Sequence, residues 1–175
     1  TGILQNEGQI TANGGAVTYG GGSGGSIWVN TGTLAGTGTF AANGGNASGS
    51  GAGGGGRIAI YYAASTFTGT TTVSGGTSTV GNGEAGTVGF FNTATHGFTA
   101  GSNWTFLASD GPTFSYNDVT LIDSYVVLQN STTLSASAIT LEGSTLTTVS
   151  ENSIRLTTGD LTVDSLSVIT ADSMG

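Results

Sequence analysis

Cysteine and lysine are absent, and histidine and proline occur once each. No disulfide can therefore staple this chain, and no Lys–Asn isopeptide bond can either. Two arginines, Arg57 and Arg155, stand against ten acidic residues, a net charge of −8. So few cations cannot neutralise a phosphate backbone, which argues against nucleic acid as a partner and against an anionic membrane surface. No apolar run reaches ~18 residues, so no membrane insertion is expected, and no signal or transit segment is recognisable. The lone His96 leaves a Ser/His/Asp triad a single candidate base, and NTATHGFTAG carries no G-x-S-x-G elbow beside it.

The acids do not gather into chemistry. A β-helical polysaccharide lyase, the most credible enzyme reading, needs clustered carboxylates for calcium and a basic group to take a proton. Here Asp110, Asp118, Asp123, Glu142, Asp160, Asp164 and Asp172 are scattered through turn sequences, so the chain reads as non-enzymatic. Asp and Asn oxygens in turns suit calcium, with Glu84 in Gly81-Asn82-Gly83-Glu84 and the pair Asp160 and Asp164 as the candidates. The nonapeptide of calcium-binding rolls is missing, so solvated turn carboxylates and no cofactor are the expectation. The glycine runs are not phosphate loops, because no lysine follows them.

What is abundant is glycine, 33 of 175 residues, interleaved with threonine and β-formers. No stretch has helical apolar spacing, so the chain reads as all-β. Two markers repeat. Gly24-Gly25-Ser26-Ile27-Trp28-Val29 is answered by Gly55-Gly56-Arg57-Ile58-Ala59-Ile60 and by Ala85-Gly86-Thr87-Val88-Gly89-Phe90, at steps of 31 and 30 residues. Gly8 to Gly15 (GQITANGG) recurs as Gly38 to Gly45 and Gly69 to Gly76 on nearly the same step. Shared periodicity means repeat architecture.

Three regions follow. Residues 1–91 hold the 30–31-residue repeats, with one strand pair in 1–15, a strand at 27–29, a Thr/Gly turn run from Thr31 to Phe40 and a strand region at 57–67. The glycine loop 43–56 is expected to pack against its neighbouring repeat, glycine permitting positive φ and close backbone approach. Residues 92–118 read as an irregular aromatic-containing insertion, either a plug over the core or a binding surface. In 119–175 the step shortens to 20–22 residues, marked by Val119-Thr120-Leu121, Ile139-Thr140-Leu141 and Leu161-Thr162-Val163. Short strands with tight turns at this spacing suit the coils of a parallel β-solenoid, each stacking on the next at ~4.8 Å because no coil buries its inward side chains alone. A β-sandwich subunit with a donated strand is the alternative fold. Thr1-Gly2-Ile3-Leu4 aligns with Thr31-Gly32-Thr33-Leu34, and Ile169-Thr170-Ala171-Asp172-Ser173 with Ile10 to Gly14, so both ends are expected to cut through repeat units.

GGGSGGSIWV, TGTLAGTGTFAANGG and GGGGRIAIYY resemble the glycine-rich repeat segments of long bacterial secreted and surface proteins, as does LTVDS leading into ITAD at 161–172. The resemblance covers about residues 1–75 and 155–175. It implies an exported, β-helical, adhesin-type or structural protein at the cell exterior, and no catalytic residues.

The expected function is a structural fibre segment or subunit whose partner is itself, assembling end to end through Ile3, Leu4, Ile10, Leu161, Val163, Val168 and Ile169. Surface glycans are the alternative partner, with Trp104, Phe106, Phe114 and Tyr116 as the binding surface. Ice binding by Thr31, Thr33, Thr37 and Thr39 is a weaker variant, because the T-x-T pattern does not recur cleanly.

Overall fold

The computed structural model describes residues 2–149 and 152–172; Thr1 and Ser173, which enter the terminal alignments, lie outside them. The chain is all-β, and its sheets are built mostly of parallel strands. It divides into two compact units, Thr1–Ala94 and Thr95–Gly175.

The first unit contains β1 (Ile3–Gln5), β2 (Gln9–Thr11), β3 (Ser26–Ala35), β4 (Thr39–Ala41), β5 (Arg57–Ser65), β6 (Thr70–Thr72) and β7 (Thr87–Asn92). Strands β1, β3, β5 and β7 pair in that order, and β2, β4 and β6 form a second sheet. Ile27 pairs with Ile58 and Ile58 with Val88, while Gln9 pairs with Thr39 and Thr39 with Thr70. The sequence period is thus the strand register, and like side chains stack on like. Leu34, Ile58, Ile60 and Val88 meet Phe40, Ala42 and Val73 in one core. Residues 1–15 are not a strand pair with one another: β1 and β2 belong to different sheets, each paired to the next repeat. The Thr/Gly run after Val29 is not all turn either. Its first half, through Ala35, continues β3, because Thr31 and Thr33 find partners in Tyr62 and Ala64.

Between β2 and β3, and at the equivalent places in later repeats, the chain runs out and back as a glycine lobe without a single strand. Its backbone is nonetheless bonded with a three-residue rhythm. Gly21 and Gly24 donate to the carbonyls of Gly51 and Gly54 in the next repeat, and Gly14 and Val17 donate to Asn43 and Asn46. The two limbs also bond each other: Gly22 N–H donates to Gly15, Gly45 to Gly22, Gly53 to Gly45, Gly76 to Gly53 and Gly83 to Gly76. A three-residue period with partners on several sides is the habit of bundled polyproline-II-type segments, where only glycine fits the crowded interior. A Cβ on Gly14, Gly44 or Gly75 would lie 1.9 Å from the carbonyl oxygen of Gly22, Gly53 or Gly83 respectively. Close approach, not positive φ, accounts for these glycines, since only Gly20 in the lobes has φ in the left-handed region. Asparagines line the limb: Asn13 Oδ1 accepts from Asn43 N–H at 2.7 Å, and Asn43 Oδ1 from Ser74 N–H at 2.8 Å.

The second unit contains β8 (Gly97–Ala100), β9 (Trp104–Phe106), β10 (Thr113–Ser115), β11 (Asp118–Ile122), β12 (Tyr125–Leu128), β13 (Thr133–Glu142), β14 (Thr145–Thr148), β15 (Arg155–Val163) and β16 (Val168–Thr170). Here Phe98, Val119, Ile139 and Leu161 are register partners in turn, and so are Trp104, Val126, Leu146 and Ile169. Much of 92–118, expected as an irregular insertion, therefore supplies β8 and β9, the first strands of this unit. Its first strands keep the register of the unit, and what departs is side-chain size and the 3-10 turn Ala108–Asp110 that leads to β10. At the turns a serine column is buried: Ser124 N–H donates to Ser144 Oγ at 3.0 Å, and Ser144 N–H to Ser167 Oγ at 2.9 Å.

Candidate assembly edges

Among the described residues, strands β1 and β2 have partners on one side only, β3 and β4. Leu4 is in register with Leu34 and Ile10 with Phe40, both fully buried, so the two point toward the core. They are only half-buried because no repeat covers them from the other side. Ile3, at 73 % exposure, is the register partner of Thr33 on the outer face, and its exposure reports that face.

In the second unit, among the described residues, β15 and β16 have partners only in β13 and β14. Leu161, Val163 and Ile169 sit in register with buried Ile139, Leu141 and Leu146, yet Leu161 remains 46 % and Val163 41 % exposed. Val168 is the partner of Thr145 on the outer face. Five of the seven expected assembly residues thus belong to inward-pointing columns that stop uncapped, and two are outer-face residues of the same strands. Leu166, 79 % exposed in the turn before β16, joins this apolar edge and has no counterpart in the sequence reading.

The edge turns carry the two carboxylates that depart from ordinary acidity. Glu7 is held below its ordinary 4.5 by the Thr37 hydroxyl and N–H, which donate to it at 2.7 and 3.1 Å, and by the Gln5 amide. Asp164 is held below 3.8 chiefly by the Ser167 hydroxyl, against partial desolvation, with further donation from the N–H groups of Gly143, Leu166 and Ser167. A depressed folded-state value means stability that is present above the ordinary carboxylate value and lost as pH falls through the folded one. Asp164→Ala is accordingly expected to be less stable than the parent at neutral pH, with the deficit closing as pH falls through the lowered folded-state value. Urea midpoints across pH check this, and a deficit independent of pH refutes the linkage.

No cluster of three or more His, Asp or Glu that could hold a metal occurs among the described residues. Asp160 lies within β15, Asp164 is engaged as above, and the backbone carbonyl of Glu84 accepts from Gly55 N–H at 2.8 Å. Three of the four threonines proposed for ice are engaged as well. Thr31 Oγ1 donates to the Gly2 carbonyl, Thr37 Oγ1 to Glu7, and the Thr39 and Thr70 hydroxyls bond each other at 3.0 Å.

The expected aromatic binding surface needs correction. Trp104 is 8 % and Phe106 1 % exposed, while Phe114 and Tyr116 are half-buried. Their rings pack on Phe98 and on one another, with Phe98–Trp104 centroids 5.1 Å apart and Phe106–Phe114 4.8 Å apart. Alternation along β9 turns Trp104 and Phe106 into the core, and Phe114 on β10 is the register partner of buried Leu134. In the second unit Tyr125 faces outward, 52 % exposed, and in the first unit a set of neighbouring aromatics does so. Trp28 is 66 % exposed and lies 6.0 Å from Tyr61, whose ring stacks on Phe91 at 4.5 Å. The signal for them was present in the alternation of Ile27-Trp28-Val29 and Ile60-Tyr61, where every second residue must leave the core.

No protein-family model, no curated protein and no solved structure matches this chain.

Proposed function

We propose that this chain is a parallel β-solenoid segment or subunit of a structural fibre at the cell exterior, continued at its ends by strand stacking. The single observation that carries the reading is the pair of uncapped inward columns, Leu4 and Ile10 beside β1 and β2, and Leu161, Val163 and Ile169 on β15 and β16. A row of free N–H and C=O groups beside open apolar columns is a template for another strand, and a repeat array gains its stability from such neighbours. The resemblance to glycine-rich segments of long bacterial surface proteins agrees with that role and with an extracellular place.

The last repeat can meet the first without a shift in pattern. Aligned on Ile169 and Ile10, Val163 falls on Leu4, Val168 on Gln9 and Thr170 on Thr11. Purified chain at high concentration is expected to give regular filaments in negative-stain electron microscopy and a high-mass species in light scattering. Like charges placed opposite each other across paired strands repel. Gln9→Glu with Val168→Glu should therefore disperse the filaments, and Gln9→Lys with Val168→Glu should restore them. A strictly monomeric parent chain overturns self-assembly.

The second reading, glycan binding, rests on the outward Trp28, Tyr61 and Phe91, a contiguous aromatic face. Large flat rings with polar edges suit a ligand that is apolar on one side and wet on the other. A monomeric chain would direct attention there.

A further inference from the structure

Two columns of glycine run through the first unit, and each has one member with no local reason to be glycine. In the column Gly8, Gly38, Gly69, a Cβ on Gly38 would lie 2.4 Å from the Gly8 carbonyl oxygen, and one on Gly69 2.0 Å from that of Gly38. In the column Gly15, Gly45, Gly76, the corresponding distances to the Gly15 and Gly45 oxygens are both 2.1 Å. In each column the preceding repeat forces the glycine. Yet Gly8 and Gly15, which begin the columns, have nothing within 4 Å of that position.

Repeat ancestry alone does not hold such glycines in place. Gly24 and Gly55 are forced by the following repeat, whose Ala42 and Val73 carbonyl oxygens would lie 2.3 and 1.9 Å from a Cβ. The third member of that column is Ala85, in the last lobe-bearing repeat. Where no lobe follows, the sequence has let glycine go; on the opposite face it has kept it.

The backbone of that face is also unpaired among the described residues. Gly45 and Gly76 N–H groups donate to Gly22 and Gly53 in the preceding repeat, but Gly15 N–H has no acceptor. The carbonyls of Asn43, Asn46, Gly51 and Gly54 each accept from the preceding repeat, whereas those of Asn13, Ala16, Gly20 and Ser23 accept nothing.

We infer that the β1–β2 edge together with the first lobe receives another glycine-lobed repeat, backbone on backbone. The inference rests on the reading that these edges are continued by further repeats, and it names the occupant of this one. That repeat supplies a return-limb glycine carbonyl to Gly15 N–H and four N–H donors to Asn13, Ala16, Gly20 and Ser23. It carries glycine where this chain has Ala85, because in the observed register an alanine Cβ there would strike the Ala12 carbonyl, as the Gly24 and Gly55 positions show. The third repeat of a second copy is therefore the wrong occupant, and the last repeat of a copy, residues 155–172, can pair with β1 and β2 but leaves the first lobe uncovered.

The test adds the repeat. A copy of residues 31–61 is placed directly before Thr1, so that its Tyr61 precedes Thr1 as the native Tyr61 precedes Tyr62, and amide exchange is followed by NMR in the parent and extended chains. Gly15 N–H is expected to exchange at least about tenfold more slowly in the extended chain. Gly15→Ala should leave the parent melting temperature nearly unchanged but lower that of the extended chain. The same extension with its own Gly55→Ala should give no protection at Gly15. Fast Gly15 exchange in the folded extended chain, or equal tolerance of Gly15→Ala in both chains, overturns the inference. Filaments from the parent chain with an unprotected Gly15 would sink this inference and leave the fibre reading standing. Protection at Gly15 with a strictly monomeric parent would do the reverse.

Discussion

Gly53→Ala is expected to unfold the glycine lobe and destabilise the first unit by about 3 kcal/mol or more, at the upper end of overpacking costs. Its Cβ would sit 2.0 Å from the Gly22 carbonyl oxygen and 2.4 Å from the Gly22 carbon. Neither atom is a side-chain tip that can swing aside. Both belong to a limb whose neighbours are fixed, since Gly22 N–H is bonded to Gly15, and Gly53 itself bonds Gly45 and Gly76. The contrast with the same loop makes the prediction sharp. At Gly51 the nearest atom to an added Cβ is 4.0 Å away and at Gly54 3.7 Å, ordinary contact in both cases. Gly51→Ala and Gly54→Ala should therefore be neutral or slightly stabilising, because alanine reduces the freedom of the unfolded chain. Thermal melts of the three variants decide the matter, with a shift of roughly 6–12 °C expected for Gly53→Ala alone. Three equal melts would mean that the lobe is a loose loop.

Much of this architecture is legible in the sequence because the period and the register are the same quantity. Gly24 to Gly55 and Ile27 to Ile58 are both 31 residues apart, and the second pair are hydrogen-bonded strand partners. Likewise Val119, Ile139 and Leu161, legible as repeat starts, are successive register partners. The lobes were legible as ordered, but the reason for glycine was half wrong. Close approach between limbs is a tertiary fact that composition does not reveal, whereas positive φ is the local reason that composition suggests. The stretch 92–118 escaped for a different reason. Its repeat is carried by Phe98 and Trp104 standing in columns otherwise filled by Val, Ile and Leu, so the letters changed while the pairing did not. Aromatic clustering there reads as either a plug or a binding surface, and only the alternation along Trp104-Thr105-Phe106 points these two rings inward. The assembly edges were legible as strands because β1, β2, β15 and β16 keep an alternation. It puts Ile3 on the face opposite Leu4 and Val168 on the face opposite Ile169, while only the register shows which of each pair points inward.

The corrected role of the aromatic cluster makes the other large prediction. Phe106→Ala is expected to cost about 3–5 kcal/mol, the usual range for emptying a fully buried aromatic site, and to lower the melting temperature by roughly 6–20 °C. Phe106 is in register with buried Leu128, and its ring meets those of Phe98, Trp104, Phe114 and Tyr116. Four ring neighbours cannot all collapse into the space it leaves, so a cavity term adds to the lost transfer energy. Two controls separate core from surface. Leu107, the next residue, is 39 % exposed, and Leu107→Ala should cost far less. Trp28 is 66 % exposed on the outer face, and Trp28→Ala should shift stability by no more than about 0.5 kcal/mol. If Phe106→Ala kept the parent melting temperature and instead abolished binding to a glycan, the cluster would be a ligand platform after all. If it melts early while Trp28→Ala does not, these rings hold the strands of the second unit together, and any sugar contact belongs to the Trp28, Tyr61 and Phe91 face.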